Sequence, residues 1–467
     1  MARDRNKRSK KTRRLILIGV PLILLLVLLW QLLPRLEGQA PAVTFLGFNS
    51  AVGAAADFTL VVSDDQSGLR KVWAALLVDG QEHVLTTYES AETETAPSVE
   101  KRLTVSIEPA RMHVPDGPAV LRVGAWDHSW RNWGQGNHTY IEKPVTIDTR
   151  PPAVEVISRQ HYINPGGAAL AVYRVPEAGV RHGVQVGQDF FPGYAGAFSD
   201  PHICLAFFAL AQNQDRDVPV YVRAEDAAGN VAKAGFYYHV KTKTFQEDRL
   251  AISNSFLRRK MPEFSGVTGE SPLDKFIRIN SEMRRENNAT IRSLCRQTEA
   301  GLLWQGRFLR FPNSARRASF ADRRSYVYQD RVIGRAVHMG VDLASLANSP
   351  VPAANTGRVV FAGKIGIYGH TVIIDHGFGL FSLYGHLSHV AVSKGQMIER
   401  GSILGRSGMT GLAGGDHLHF GMLVHDTFVN PVEWWDAAWI ENNITGKIET
   451  ARQMQADGAW NSGGFQQ

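Results

Sequence analysis

Cysteine is nearly absent from this sequence of 467 residues, which contains two, Cys204 and Cys295. At most one disulfide can form. Cys204 lies in the apolar run "ICLAFFAL" and Cys295 in an expected helix of another segment, so both are read as buried free thiols. Excess charge is also missing from most of the chain. The formal net charge is +7, but residues 1–14, "MARDRNKRSKKTRR", carry eight Lys/Arg and one Asp and account for all of it. The rest is formally neutral. No basic groove interleaved with aromatics and no nucleic-acid motif appears, so nucleic acid is excluded as a partner. The arginines dense in 307–335 are read as a solvated, partly paired surface. Composition shows no global disorder signal, and the length calls for two to four domains.

One long apolar run is present. Residues 15–33, "LILIGVPLILLLVLLWQLL", contain no charge. At ~1.5 Å per residue they extend about 28 Å, close to the hydrocarbon thickness of a bilayer. The basic residues before the run place the N-terminus in the cytoplasm. The expectation is a basic cytoplasmic tail (1–14) and a single-pass anchor (15–33) in the cytoplasmic membrane, everything after it being periplasmic or otherwise extracytoplasmic. The run is longer than a usual signal-peptide core, which favours an uncleaved anchor.

Residues 41–149 and 150–243 read as short strands with regular turn punctuation, hence two β-sandwich modules. "VGAWDHSWRN", ending at Asn132, and "VRAEDAAGN", ending at Asn230, align with a separation of 99 residues between Ala125 and Ala224. That is one domain length. The pattern A-x-D-x-x-G-N near a domain end, then "DTRPP", resembles bacterial immunoglobulin-like modules. Residues 244–300 change to a helical linker: Ser271 as N-cap, Pro272 at the first helical position, Asp274 three residues after the cap, and an apolar stripe predict a helix over about 272–297. Residues 301–445 return to glycine-rich strands, and 446–467 read as a loose polar tail. The fold class is therefore mainly β.

The chemistry lies in three spaced motifs. "HMGVD" supplies His338 and Asp342, "LYGHLS" supplies Tyr384 and His386, and "GGDHLHFGM" supplies His417 and His419. On a strand, His417 and His419 share one face while Leu418, Phe420, Met422 and Val424 form an apolar back. Imidazole and carboxylate are zinc ligands, and a catalytic zinc site takes three of them and keeps a position for water. A neighbouring uncoordinated histidine can pass a proton to a leaving amine. The residues alone leave open which of these side chains hold metal.

The order H-x-G-x-D, Y-x-H-L, H-L-H-F closely resembles the lysostaphin-type zinc endopeptidases, which cut peptide bonds in peptidoglycan. The likeness runs over about 330–435, so 301–445 is expected to be an antiparallel β peptidase domain. It implies one zinc ion held by His338, Asp342 and His419, with His386 and His417 as the proton-handling pair and Tyr384 lining the transition-state site. Asp416 stands where proline is frequent and Gly421 where glutamate often follows, which bears on cleft shape and substrate choice. His370, His376, His389 and His425 are read as structural or surface histidines, with a substrate-binding role kept open for His376. The function implied is a membrane-anchored zinc endopeptidase acting on peptidoglycan. Its rival is a non-catalytic envelope protein that binds and activates another wall hydrolase.

Overall fold

The computed structural model describes residues 33–91 and 98–457, together with 18, 20–27 and 29. Residues 1–14 and part of the expected anchor (15–17, 19, 28 and 30–32) lie outside that set. No helix among the described residues is long and apolar enough to cross a membrane. The mainly β expectation holds.

The chain divides into two compact units, Met1–Pro151 with Asp226–Asn230, and Pro152–Glu225 with Val231–Gln467. In the first, a three-stranded antiparallel sheet (Ala42–Leu46, Ala56–Ser63, Glu100–Ile107) and a five-stranded sheet share one core. In the strand Ala56–Ser63, Phe58, Leu60 and Val62 are buried and the residues between them are not, the alternation of a strand with one wet face. The repeated aspartates form matching turns. Asp127 Oδ1 accepts from the backbone N–H of Ser129 and Asn137 at 2.9 and 2.8 Å. Asp226 Oδ1 accepts from Ala228 and Asn230 at 2.8 and 2.9 Å. Asn137, not the expected Asn132, therefore matches Asn230. The first turn carries extra residues, and Asn132 instead donates to the Gly136 carbonyl.

The second unit corrects an expected boundary. Residues 150–243 do not stand apart from the peptidase region; the two share one hydrophobic core. The cause is legible in the strand Ile203–Ala209, "ICLAFFA", every residue of which is buried. A strand apolar on both faces needs a cover on each. The second cover includes Trp434, whose ring lies 6.1 Å from that of Phe207. Tyr194 stacks on His425 in the same way, at 5.9 Å. Cys204 and Cys295 are both buried and free.

The expected tail is corrected too. Gly446–Ala456 is a helix with Ile448 and Ala451 buried. Lys447 Nζ donates to the Leu170 carbonyl at 3.1 Å, tying the helix to the second β region. Residues 458–467 of the tail lie outside the described set.

The linker helix forms as expected from Pro272 to Leu294, with a π turn over Ile279–Met283. The Ser271 Oγ accepts from Asp274 N–H at 3.1 Å, satisfying a donor that the first turn leaves free. Phe276, Ile279 and Ile291 enter the core. The helix is not a spacer, because Asn287 and Asn288 grip the loop at Ile367 and Tyr368 at 2.8 Å each.

The region that bears the three motifs is built on one antiparallel sheet. Its strands follow the order Ala315–Ala318, Val341–Ala344, Leu418–Val424, Leu380–Leu387, Gly369–Asp375, Gly357–Ile365 and Met397–Ile398. Asp342 pairs with His419, and His419 pairs with Gly385 on its other side. Three neighbouring strands thus bring residues more than thirty positions apart onto one patch.

Candidate metal centre

Opposed residues in an antiparallel ladder project to the same face. Asp342 and His419 therefore emerge together from adjacent strands, and His338 reaches the same point from the loop before Val341. His338 Nε2, His419 Nδ1 and Asp342 Oδ1 form a triangle with sides of 2.9, 3.0 and 3.0 Å. All three residues are buried.

The hydrogen bonds decide which nitrogens are bare. His338 Nδ1 lies 2.9 Å from the Ser319 carbonyl, which only accepts, so the proton sits on Nδ1 and Nε2 offers a lone pair. His419 Nε2 is buried without a partner, and its Nδ1 points into the triangle. Two nitrogens and one carboxylate oxygen thus converge, the donor chemistry and number of a zinc site with an open position. These residues fit a divalent cation. Burial pushes the Asp342 carboxyl up, but the imidazoles of His338, His417 and His419 around it outweigh that. They hold that carboxyl well below the usual range. Burial carries His419 down to about 4 against its bond to Asp342, so it stays neutral, as a ligand must.

Gly340 makes room for this centre. A Cβ there would come within 2.6 Å of the His419 ring and 2.7 Å of the Phe420 carbonyl. The middle residue of H-M-G-V-D therefore has a steric reason to be glycine.

His386 and His417 flank the triangle. Their ring centroids are 4.8 Å apart, and His386 lies 5.8 Å from His419. His386 Nδ1 donates to the Thr410 carbonyl and His417 Nδ1 to the Gly415 carbonyl, each at 2.8 Å. Each ring is left with Nε2 as its free nitrogen, and that of His417 stands 3.5 Å from Asp342 Oδ1. Burial and the neighbouring imidazoles push His386 well below its ordinary value. Burial also works against a charged His417, but the hydrogen bond and charge of Asp342 raise it. The pair is thus poised with opposite proton affinities.

Tyr384 is a correction. It pairs with Phe420, on the back of the sheet, and packs edge-on against that ring at 5.3 Å. Its hydroxyl accepts from Ala354 N–H at 2.8 Å and lies 3.0 Å from Ser382 Oγ. It belongs to the core and not to the cleft. Strict alternation would send His386 to the same back face. His386 escapes because its φ is +62°, a left-handed conformation that breaks the alternation. His376 is likewise internal: fully buried, with its two nitrogens 2.7 Å from the Thr356 carbonyl and from Ser382 Oγ. A substrate role for it is excluded. His425 is buried in the core and His389 is exposed.

The triangle opens on a cavity of about 370 Å³. Its walls include Tyr368, whose ring lies 5.3 Å from His419, with Arg284 from the linker helix and Arg324. Tyr368 and Arg324 went unread in the sequence. No motif claims Tyr368, and Arg324 is one of many arginines. Yet Arg324 is largely buried, and its Nη2 donates to Asp342 Oδ2 at 3.0 Å.

Known proteins share this region. DD-carboxypeptidase/endopeptidase Mpg of Neisseria meningitidis serogroup B is 38% identical over 96 residues, 21% of this chain and 22% of that protein. Peptidoglycan DD-endopeptidase ShyA of Vibrio cholerae serotype O1 is 35% identical over 132 residues, 28% of this chain and 30% of that protein. The chain thus matches under a third of the length of these curated relatives. Among solved structures, the catalytic domain of lysostaphin from Staphylococcus simulans aligns at 27% identity and a TM-score of 0.23, covering 26% of this chain and 92% of that domain. The pattern of Peptidase family M23 matches residues 336–431 and takes in all five histidine and aspartate residues of the centre, so the C-terminal region of this chain is an M23 peptidase domain.

Proposed function

We propose that this chain is a zinc metalloendopeptidase that hydrolyses peptide bonds in peptidoglycan stem peptides or cross-links. The observation that carries the reading is the convergence of His338 Nε2, His419 Nδ1 and Asp342 Oδ1 within 3.0 Å of one another, beside two further imidazoles. Zinc, when bound there, supplies Lewis acidity toward a peptide carbonyl and acidifies water toward neutrality. The remaining work falls to the chain. His386 and His417 present Nε2 toward the reacting atoms. One accepts the proton of the attacking water and one returns a proton to the leaving amine. The carbonyls of Thr410 and Gly415 fix their tautomers. The activities for which Mpg and ShyA are named support peptidoglycan as the substrate class.

The same reading keeps residues 15–33 as an anchor in the cytoplasmic membrane, with the catalytic region outside the cytoplasm. The 19-residue uncharged run and the basic residues before it support that placement. Retention of all five site residues in one geometry favours the enzyme over a binding protein that activates another hydrolase.

The test is direct. The full chain is incubated with purified sacculi and the released fragments are identified by mass spectrometry, with and without a chelator. Peptide-bond cleavage that stops with chelator and returns with zinc is expected. His419→Ala is expected to lose the metal. A wild-type chain that carries stoichiometric zinc yet releases no peptide product from sacculi overturns the catalytic assignment in favour of the binding protein.

A further inference from the structure

We propose that the cleft reads a carboxylate carried by the substrate beside the bond to be cut, through Arg284 and Arg317. The inference rests on the peptidase reading and adds a substrate feature to it. Three guanidinium groups line the cavity: Arg284, Arg317 and Arg324. Arg324 is committed to Asp342. The other two are in no ion pair among the described residues, and the three guanidinium groups face two carboxylates, Asp342 and Asp248.

Arg284 sits on the wall formed by the linker helix. Its Nη2 donates to Asn280 Oδ1 at 2.9 Å and to the Tyr326 hydroxyl at 3.3 Å, and its Nε donates to the Asn280 carbonyl and Oδ1 at 3.3 Å each. All of these acceptors are neutral. They aim the guanidinium without cancelling its charge, and Nη1 keeps its donors free. Arg317 stands on the edge strand Ala315–Ala318, next to the strand that bears Asp342. The ladder steps from Arg316 opposite Leu343 to Ala318 opposite Asp342, so Arg317 is the extra residue of a bulge. Bulges re-aim a side chain next to a site. Arg317 is exposed, with no hydrogen bond or ion pair among the described residues. Of the carboxylates on the cavity wall, Asp342 belongs to the metal centre and Asp248 accepts from the Gln246 amide at 2.9 Å. The cleft therefore carries positive charge beyond what its own acids neutralise. Arg317 presents a planar fork with free donors, which binds a carboxylate in bidentate fashion, and Arg284 adds a single charge-assisted contact through Nη1. A peptide with a free carboxylate next to the scissile bond places its anion there. The same peptide with that group amidated offers a neutral carboxamide.

The test compares a cross-linked peptide in free-acid and amidated forms on the full chain loaded with zinc. The free acid is expected to be favoured by about 10–100-fold in kcat/KM, through KM, the weight of a charge-assisted hydrogen bond. Arg284→Gln with Arg317→Gln should collapse that ratio toward one while zinc content is retained. Arg317→Gln alone, at an exposed position, should narrow it and guards against misfolding of the double variant. Dissociation constants of both peptides for the His386→Ala chain are measured in parallel, because they need no turnover. A tenfold or greater preference in binding that the arginine changes abolish upholds the subsite even if sacculi are not cleaved. Equal binding of the two forms, or a preference that survives both substitutions, overturns it.

Discussion

Arg324 Nη2 stands 3.0 Å from Asp342 Oδ2, while Oδ1 of the same carboxylate faces His338 and His419. One oxygen is held by a guanidinium and the other is left for the metal. Both side chains are mostly buried, at 16% and 13% exposure, so the pair is poorly screened. Outer partners of this kind orient a ligand, and their removal typically costs ~10–100-fold in metal affinity. Arg324→Met is expected to weaken zinc binding by about that factor and Arg324→Lys by less. Competition against a chelator of known affinity measures it. A folded Arg324→Met chain that binds zinc as tightly as wild type would show that Asp342 needs no such support.

His386 owes its place to a single backbone angle, φ +62°. Histidine enters the left-handed region more readily than a branched residue does, and asparagine more readily still. His386→Asn therefore keeps the backbone and removes the ring. It is expected to retain zinc and lose turnover by ~10²–10⁴-fold, as is His386→Ala. Metal content and kcat are read on the same preparation. Normal turnover in either variant removes the proton-handling role.

At Gly340 the added methyl of alanine meets the His419 ring and a backbone carbonyl, and neither can yield freely. Overpacking of this kind costs roughly 1–3 kcal/mol. Gly340→Ala is expected to lower both thermal stability and zinc affinity. An alanine variant with wild-type values for both would mean that His419 is less confined than the geometry indicates.

Glu433 lies where the second β region meets the peptidase region. Asn164 Nδ2 donates to its Oε1 at 2.7 Å and Ala168 N–H to its Oε2 at 3.0 Å. Burial nonetheless raises its pKa from the ordinary 4.5 to about 7. The folded chain then holds this proton more tightly than the unfolded chain. The contribution is fully present below pH 4.5 and is lost as pH rises through 7, roughly 3 kcal/mol in all. Glu433→Gln is expected to flatten that part of the stability profile. Denaturant midpoints at pH 5 and pH 8 for both chains measure the difference; parallel profiles would mean Glu433 ionises as it does in water.

Much of the centre was legible because its motifs are local. H-x-G-x-D and H-L-H-F each put two polar donors a fixed distance apart on a short segment, and the family likeness assigned them. Tyr384 was misplaced for a physical reason. It sits two residues from His386, and only a left-handed angle invisible in the letters separates their faces. Arg324 was lost among its neighbours because burial distinguishes it, and burial is a tertiary property. The linker helix was legible from Ser271, Pro272 and Asp274, and its packing over the cleft from its being the long amphipathic element that precedes the three motifs; Phe276 and Arg284 do line the cavity.

The sequence by itself determined the elements, the donor types and their order along the chain, since capping, turn chemistry and strand alternation act over a few residues. It also carried the sign of its main error: "ICLAFFA" has no wet face, so the second β region could not stand alone. Only the tertiary structure decided which donors meet. That depends on ladder register between strands some thirty to eighty residues apart, and register follows from what the whole sheet can bury.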